Sequence, residues 1–334
     1  MVIAKRSALL ALLLVLLTSF AVYAQTDREL AARPMSNSST GGVGTLAQRI
    51  GHFDRAKLRL LNGAHDGAGT MHVMHLLDGK ALSTSFQFLD EAIIDPHGGL
   101  GEHFHDNCEE MFMAIEGPDA QYTINGHTSE IKTPAGAPAR MGSSHAFYNP
   151  SDKPILWLDW GIGNWSKAHD GFNLGDGRAD APLDKVPQFV NFHMDSSLLK
   201  PVVNMNGGTG TVMYRRLLGP AQFYTPWAYM DEVSIPAGAS IGAATDPDMS
   251  EVYFVLSGAG TVTVNGETAS IKQYDAIPVD LGQTRSFAQS GSEPLHMLMS
   301  GIAKSKAAKR AYIDKVGNEG EATRPAGPPA GKPN

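Results

Sequence analysis

The chain has 334 residues, 42% hydrophobic and 18% charged, with 36 glycines, 20 prolines and a formal net charge of −7. That balance excludes wholesale disorder and a fibrous repeat, and the length suits two domains of about 150 residues. Gly and Pro at this level argue against a helical bundle and for short strands joined by tight turns. Without a long Lys/Arg run to track a phosphate backbone, nucleic acid is excluded as the expected partner.

At the N-terminus, Lys5 and Arg6 precede an apolar run from Ala8 to Val22, and Val22-Tyr23-Ala24 offers small residues where a signal peptidase reads. This is the pattern of a cleaved export signal over 1–24, with the cut before Gln25; the run is shorter than the ~20 residues that span a bilayer. Cleavage removes Lys5 and Arg6 and takes the net charge from −7 to −9. The mature chain is expected in the periplasm or secreted, free of the membrane. Residues 25–49 read as a flexible leader, 50–163 as a first β domain and 164–190, rich in Gly, Asp and Pro, as a linker. A second β domain follows over 191–302, then a helix over 303–317 with Gly317 as its cap, and a Pro/Gly-rich disordered tail over 318–334.

The two β domains are copies. Gly69-Thr70 and Leu76-Leu77 recur as Gly210-Thr211 and Leu217-Leu218 at an offset of 141. Pro96-His97-Gly98 reads against Pro236-Ala237-Gly238, Asn125-Gly126 against Asn265-Gly266, and Gly142 against Gly282, at 140. In the second copy, Glu251–Leu256 is a β-branched and aromatic strand, and Thr261–Val264 alternates before Asn265-Gly266. An Asn-Gly pair between alternating strands marks a type I′ hairpin, because both residues tolerate positive φ. Many short strands at this spacing give an all-β sandwich or small barrel.

The chemistry lies between Gly99 and Gly117. His103 and His105, two apart on a strand, share a face and can meet one ion, and Glu110 returns after a turn as an oxygen donor. His145, after a second turn, offers a third imidazole. Glu109 is the rival of Glu110 but breaks the spacing to Gly117. His72 and His75, three apart, face opposite ways on a strand and read as structural; His97, His127, His169 and His193 fit no ligand spacing. Cys108, the sole cysteine, excludes an internal disulfide and reads as a buried small hydrophobe. Half of the aromatics around the ligands are expected to point inward, with Trp160 and Trp165 near a strand end lining a mouth for a ring-shaped substrate.

This pattern resembles the cupin superfamily. His103, His105 and Glu110, with Gly117 six residues on, fit its first motif, and Gly142, His145 and Asn149 its second, where Arg140 replaces the usual Pro. The resemblance implies two tandem cupin domains, each a double-stranded β-helix or jelly-roll barrel, with a short C-terminal helix. It implies one divalent transition metal (Fe, Mn, Ni, Co, Cu or Zn) on His103, His105, Glu110 and His145, with Glu110 also the catalytic base. By alignment the second copy has Ala244 and Asp246 for the H-x-H pair, Glu251 for Glu110, Arg285 for the third His and Gln289 for Asn149. A guanidinium cannot coordinate a cation. No metal is therefore expected in the C-terminal cupin, and Arg285 is expected to replace the ion's charge by pairing with Glu251 and Asp246. Among named families the chain is most similar to the quercetin-2,3-dioxygenase-like bicupins. That likeness implies an O₂-dependent oxidoreductase on a small hydroxylated or enolisable substrate. The alternatives are a redox-neutral isomerase, epimerase or lyase acting on a sugar or carboxylate, and a non-catalytic ligand- or metal-binding cupin. A homodimer is also implied.

Overall fold

The computed structural model describes residues 43–317. The signal at 1–24, the leader up to 42 and the tail from 318 lie outside the described residues. The first copy comprises β1 (Arg59–Asn62), β2 (Thr70–Asp78), β3 (Phe86–Ile94), β4 (Gly99–Phe104), β5 (Cys108–Glu116), β6 (Ala120–Ile124), β7 (His127–Ile131), β8 (Ala135–Ala139), β9 (His145–Tyr148) and β10 (Ile155–Gly163). Two further strands come next, β11 (Phe172–Asp176) and β12 (Phe192–His193). The second copy repeats the first ten as β13 (Lys200–Val203), β14 (Thr211–Leu218), β15 (Trp227–Ile235), β16 (Ser240–Thr245), β17 (Met249–Ser257), β18 (Ala259–Val264), β19 (Glu267–Lys272), β20 (Ala276–Val279), β21 (Thr284–Ser290) and β22 (Leu295–Ala303).

Each copy is two facing antiparallel sheets. One sheet runs β1-β2-β3-β10-β5-β8 in the first copy and β13-β14-β15-β22-β17-β20 in the second; the other runs β4-β9-β6-β7 and β16-β21-β18-β19. From β3 to β6 and again from β7 to β10 consecutive strands alternate between sheets, the winding of a jelly roll. The Asn-Gly hairpins form as the sequence indicates, with φ of 52° and 77° at Asn125 and Gly126 and 50° and 87° at Asn265 and Gly266. One offset read from sequence is corrected. The left-handed residue of the turn before β4 is His97 (φ 57°) and that before β16 is Gly238 (φ 78°), so this turn repeats at 141, not 140. The shift to 140 falls between Gly117 and Gln121, since Gln121 pairs with Tyr148 as Thr261 pairs with Ala288.

Three segments depart from the expected organisation. Residues 45–51, assigned largely to a free leader, form helix α1 (Leu46–Arg49) on the second copy: the Leu46 amide donates to Glu267 Oε2 at 2.6 Å, and Gly51 bridges to Ala276. Leu46 is 1% exposed, inside the second barrel's core with Val212, Val262 and Ile271. The 164–190 segment is not merely a linker, because β11 extends the first copy's smaller sheet beside β4. Ala303 ends β22, and the terminal helix α2 spans Lys306–Val316, capped by the Ser305 hydroxyl accepting from the Ala308 amide and by Gly317 at φ 85°. Between the copies lies a shared apolar core of Met111, Met113 and Trp160 from the first with Trp227 and Phe254 from the second. Trp160 is fully buried there and lines no mouth, and Trp165 borders a separate surface hollow with Lys304 and Lys306. Among the described residues no helix is long and apolar enough to cross a membrane.

If α1 is part of the second barrel's core, Leu46→Ala should destabilise the folded protein by roughly 2–5 kcal/mol, the usual cost of a leucine-sized cavity. Chemical denaturation measures it, and an unchanged midpoint would place α1 off the core.

Candidate metal centre

The four residues singled out in the sequence converge inside the first barrel. His103 lies on β4 and His105 just beyond its end, Glu110 on β5, and His145 opens β9 directly opposite His103 in the β4–β9 register. All four are buried, between 1% and 4% exposed, and one donor atom from each lies within 4.8 Å of the others. Glu110 Oε2 is 3.1 Å from His145 Nε2 and 4.0 Å from His103 Nε2; its Oε1 is 3.3 Å from His105 Nε2. Glu109 points the other way and accepts from the Tyr224 and Thr225 amides and the Thr225 hydroxyl of the second copy.

The backbone fixes which nitrogen each imidazole presents. His103 Nδ1 donates to the Gly101 carbonyl at 2.8 Å, His145 Nδ1 to the Ser143 carbonyl at 3.3 Å, and His105 Nδ1 to the Asp170 carbonyl. With the proton held on Nδ1, each Nε2 turns a lone pair inward. In that tautomer three lone pairs are available to one ion; in the other, His145 and His105 donate from Nε2 to the Glu110 carboxylate at 3.1 and 3.3 Å. The N₃O donor set fits a divalent transition metal. Protonation obeys the same logic. Burial, reinforced by His65, His145 and His105, pushes His103 well below the ordinary imidazole range and keeps it neutral. Burial alone would raise the Glu110 carboxyl, but His105 and His145 hold it well below the usual carboxylate range. Burial opposes a charge on His105, yet Glu110 outweighs it and draws its affinity for a proton upward.

Two residues that sequence reasoning passed over support the ligands. His65 stacks on His103 with ring centroids 3.7 Å apart and planes within 5°, and its Nδ1 bonds Asn173 Oδ1 of β11 at 2.8 Å. Its backbone is left-handed (φ 51°), as is that of its counterpart Asn206 (φ 51°). Asn and His are both among the residues that enter that region, so the two copies share this backbone and differ in the side chain it presents. Close approach makes this possible: a Cβ on Gly101 would stand 2.1 Å from the His65 carbonyl, and one on Gly242 2.3 Å from that of Asn206. The second is His169, dismissed for its spacing, which packs on His105 at 4.8 Å between ring centroids and lies 3.6 Å from Cys108 Sγ. It sits in the stretch read as linker, where no local pattern marks it. Cys108 itself is buried as expected, and burial pushes its thiol far up. The remaining histidines have other partners, His52 with Asp275, His72 with Asp95, His75 with Asp90, His97 with Asp152, His127 with Asp184, His193 with the Lys132 carbonyl and His296 with Glu232. Of the flanking aromatics, Phe112 packs edge-on to His145 at 4.9 Å and against Trp157 at 5.0 Å, while Phe104 stacks outward on Phe172.

In the second barrel, Ala244 pairs with Arg285 as His103 pairs with His145. Arg285 Nε lies 2.7 Å from Glu251 Oε2 and its Nη2 donates to Oε1 at 2.7 Å; the Tyr229 and Tyr253 hydroxyls donate to the same carboxylate at 2.7 and 2.8 Å. Asp246 takes no part, its carboxylate accepting instead from the Asp248 amide. Arg140, in place of the motif's Pro, donates to the Ala221 and Gln222 carbonyls and the Tyr224 hydroxyl, tying the copies together.

Comparison with known proteins agrees with this architecture. A family model described as a cupin domain matches residues 231–301, the greater part of the second barrel. The chain is a bicupin by fold. An oxalate-binding protein from Thermotoga maritima is 29% identical over 97 residues, which is 29% of the bicupin and 80% of that relative. A salicylate 1,2-dioxygenase variant from Pseudoaminobacter salicylatoxidans, solved with gentisate, superposes with a TM-score of 0.55 at 17% identity, over 71% of the bicupin and 73% of its own chain. An oxalate decarboxylase from Lactobacillus farciminis, solved with formate, gives 0.55 at 16% identity over 80% and 89%.

Two substitutions separate the roles of the barrels. His65→Asn, which suits the left-handed backbone, should lower metal affinity about tenfold, the scale of lost support to a ligand, and leave the metal-free fold intact. A chelator-competition titration measures the affinity, and an unchanged value would reduce the stacking to packing. Arg285→Met should destabilise the bicupin by about 3–5 kcal/mol through the stranded Glu251 while metal per chain stays constant. Denaturation and elemental analysis read the two arms, and a halved metal content would make the second barrel a metal site.

Proposed function

We propose that the bicupin is an exported enzyme that holds one divalent transition metal, in its first barrel only, and uses O₂ to oxidise a small hydroxylated or enolisable organic substrate. Three buried imidazoles, each with a backbone carbonyl at Nδ1, that converge on one buried carboxylate carry this reading. When bound, the ion supplies Lewis acidity and O₂ chemistry at positions its four protein ligands leave open. His103, His105 and His145 orient it through their Nδ1 bonds. Glu110 is the carboxylate placed to accept the proton of a substrate hydroxyl. Phe112, against His145, keeps water from that side of the ligands. The salicylate dioxygenase likeness is one of fold, so the choice of reaction rests on donor set and lining.

One observation favours a second reading. The 29% identity to an oxalate-binding protein fits a carboxylate ligand and redox-neutral or binding chemistry at the same metal. Elemental analysis of the mature protein, followed by O₂ uptake on flavonols, diketones and dicarboxylates, separates the two. The expected result is one metal per chain, O₂ uptake on at least one hydroxylated substrate, and loss of both in His105→Ala. Carboxylate turnover or binding without O₂ uptake moves the assignment to the second reading. Full metal in His105→Ala removes the site.

A further inference from the structure

The ligand cage has a neighbour that uses a different donor chemistry. Cys108 on β5 and His169 from the segment before β11 stand beside His105 and Glu110, and one donor atom from each of these four lies within 4.8 Å of the other three. Cys108 Sγ is 3.6 Å from His169 Nδ1, and the same nitrogen is 3.1 Å from Gln87 Oε1, which holds the ring at the barrel wall. Cys108 is 1% exposed, whereas His169 reaches solvent. His105, whose Nε2 is 3.3 Å from Glu110 Oε1, belongs with Glu110 to both groups. The register of the copies puts Met249 where Cys108 stands, so the thiol is confined to the barrel that has the imidazoles.

We propose that His105, Cys108, Glu110 and His169 form a second ion position, selective for a thiophilic divalent cation such as Zn²⁺ or Cd²⁺ and exclusive of the first. A sulfur, two nitrogens and an oxygen make the tetrahedral donor set that borderline and soft ions prefer, whereas three nitrogens and an oxygen suit harder ones. On binding, the Cys108 S–H bond breaks, the proton leaves to solvent and a sulfur–metal bond forms, with no change of oxidation state. Exclusion comes from His105, whose single inward Nε2 serves one ion at a time. A soft ion therefore takes His105 from the harder resident ion and silences the centre. The thiol position stands on its own donors; its competition with the first position rests on the function proposed above.

Because Cys108 is the only cysteine in the sequence, thiolate coordination has one source. The test is titration of chelator-stripped full-length mature protein with Cd²⁺, and separately Co²⁺, following thiolate-to-metal charge transfer in the ultraviolet. One equivalent of Cd²⁺ should develop the band and displace pre-loaded Mn²⁺ while total metal stays at one per chain. Cys108→Ser should abolish the band but still bind Mn²⁺, His169→Ala should weaken Cd²⁺ binding at least roughly tenfold, and His145→Ala, which touches only the first position, should keep the band. The wild-type titration decides even if a variant does not fold: no band overturns the proposal. A band indifferent to His169→Ala, or lost in folded His145→Ala, overturns it as well. If Cys108→Ser binds no Mn²⁺ while the wild-type band persists, the first position fails and the second stands.

Discussion

A carboxylate enclosed in a β-barrel has to be balanced by positive charge, and the two copies of this chain do so by different means. Glu251 is clasped by the Arg285 guanidinium and two tyrosine hydroxyls, a closed set in which every acceptor is used. Glu110 meets three imidazoles, each with a backbone carbonyl at Nδ1, a donor set that a cation can join. The same strand register, with His145 or Arg285 facing across from β4 or β16, produces both results. With Ala244, Asp246 and Arg285 in place of the three imidazoles, the same register makes a scaffold rather than a site.

The segments that trail the last strand of each copy reinforce this division. After β10 the chain passes across the metal barrel, where the Asp170 carbonyl orients His105 and Asn173 orients His65. After β22 the equivalent stretch is α2, whose Tyr312 hydroxyl accepts from Arg216 and packs on Tyr229, while Lys309 donates to the Phe223 and Thr225 carbonyls. One appendage supports ligands; the other fills the barrel's end.

Much of this was legible in the sequence where the signal is local or repeated. The Asn-Gly hairpins, the four converging donors and the Arg285–Glu251 pair all come from short-range spacing or from aligning one copy on the other. Asp246, included in that pair by alignment, stays out because β16 ends before it and its carboxylate caps its own turn. The parts not legible depend on contacts between distant segments. β11 is short and mostly exposed, so it lacks the alternation that marks a strand. His169 acquires its place only when the loop folds back on His105. His65 looks unremarkable until its left-handed backbone is seen beside Asn206. Trp160, on the strand that also carries Trp157, points to the opposite face, into the core between the copies.

The halves also trade segments. Helix α1 precedes the first barrel in the chain but packs on the second, β12 comes after the first barrel's last strands and pairs with β8, and Arg140 and Glu109 reach from the first copy into residues 221–225 of the second. A cut between the barrels would strip the second of α1 and separate Arg140 and Glu109 of the first from their partners at 221–225. The barrel without imidazoles is therefore a structural partner of the other: it supplies the Tyr224 and Thr225 amides that Glu109 needs and the carbonyls that Arg140 binds.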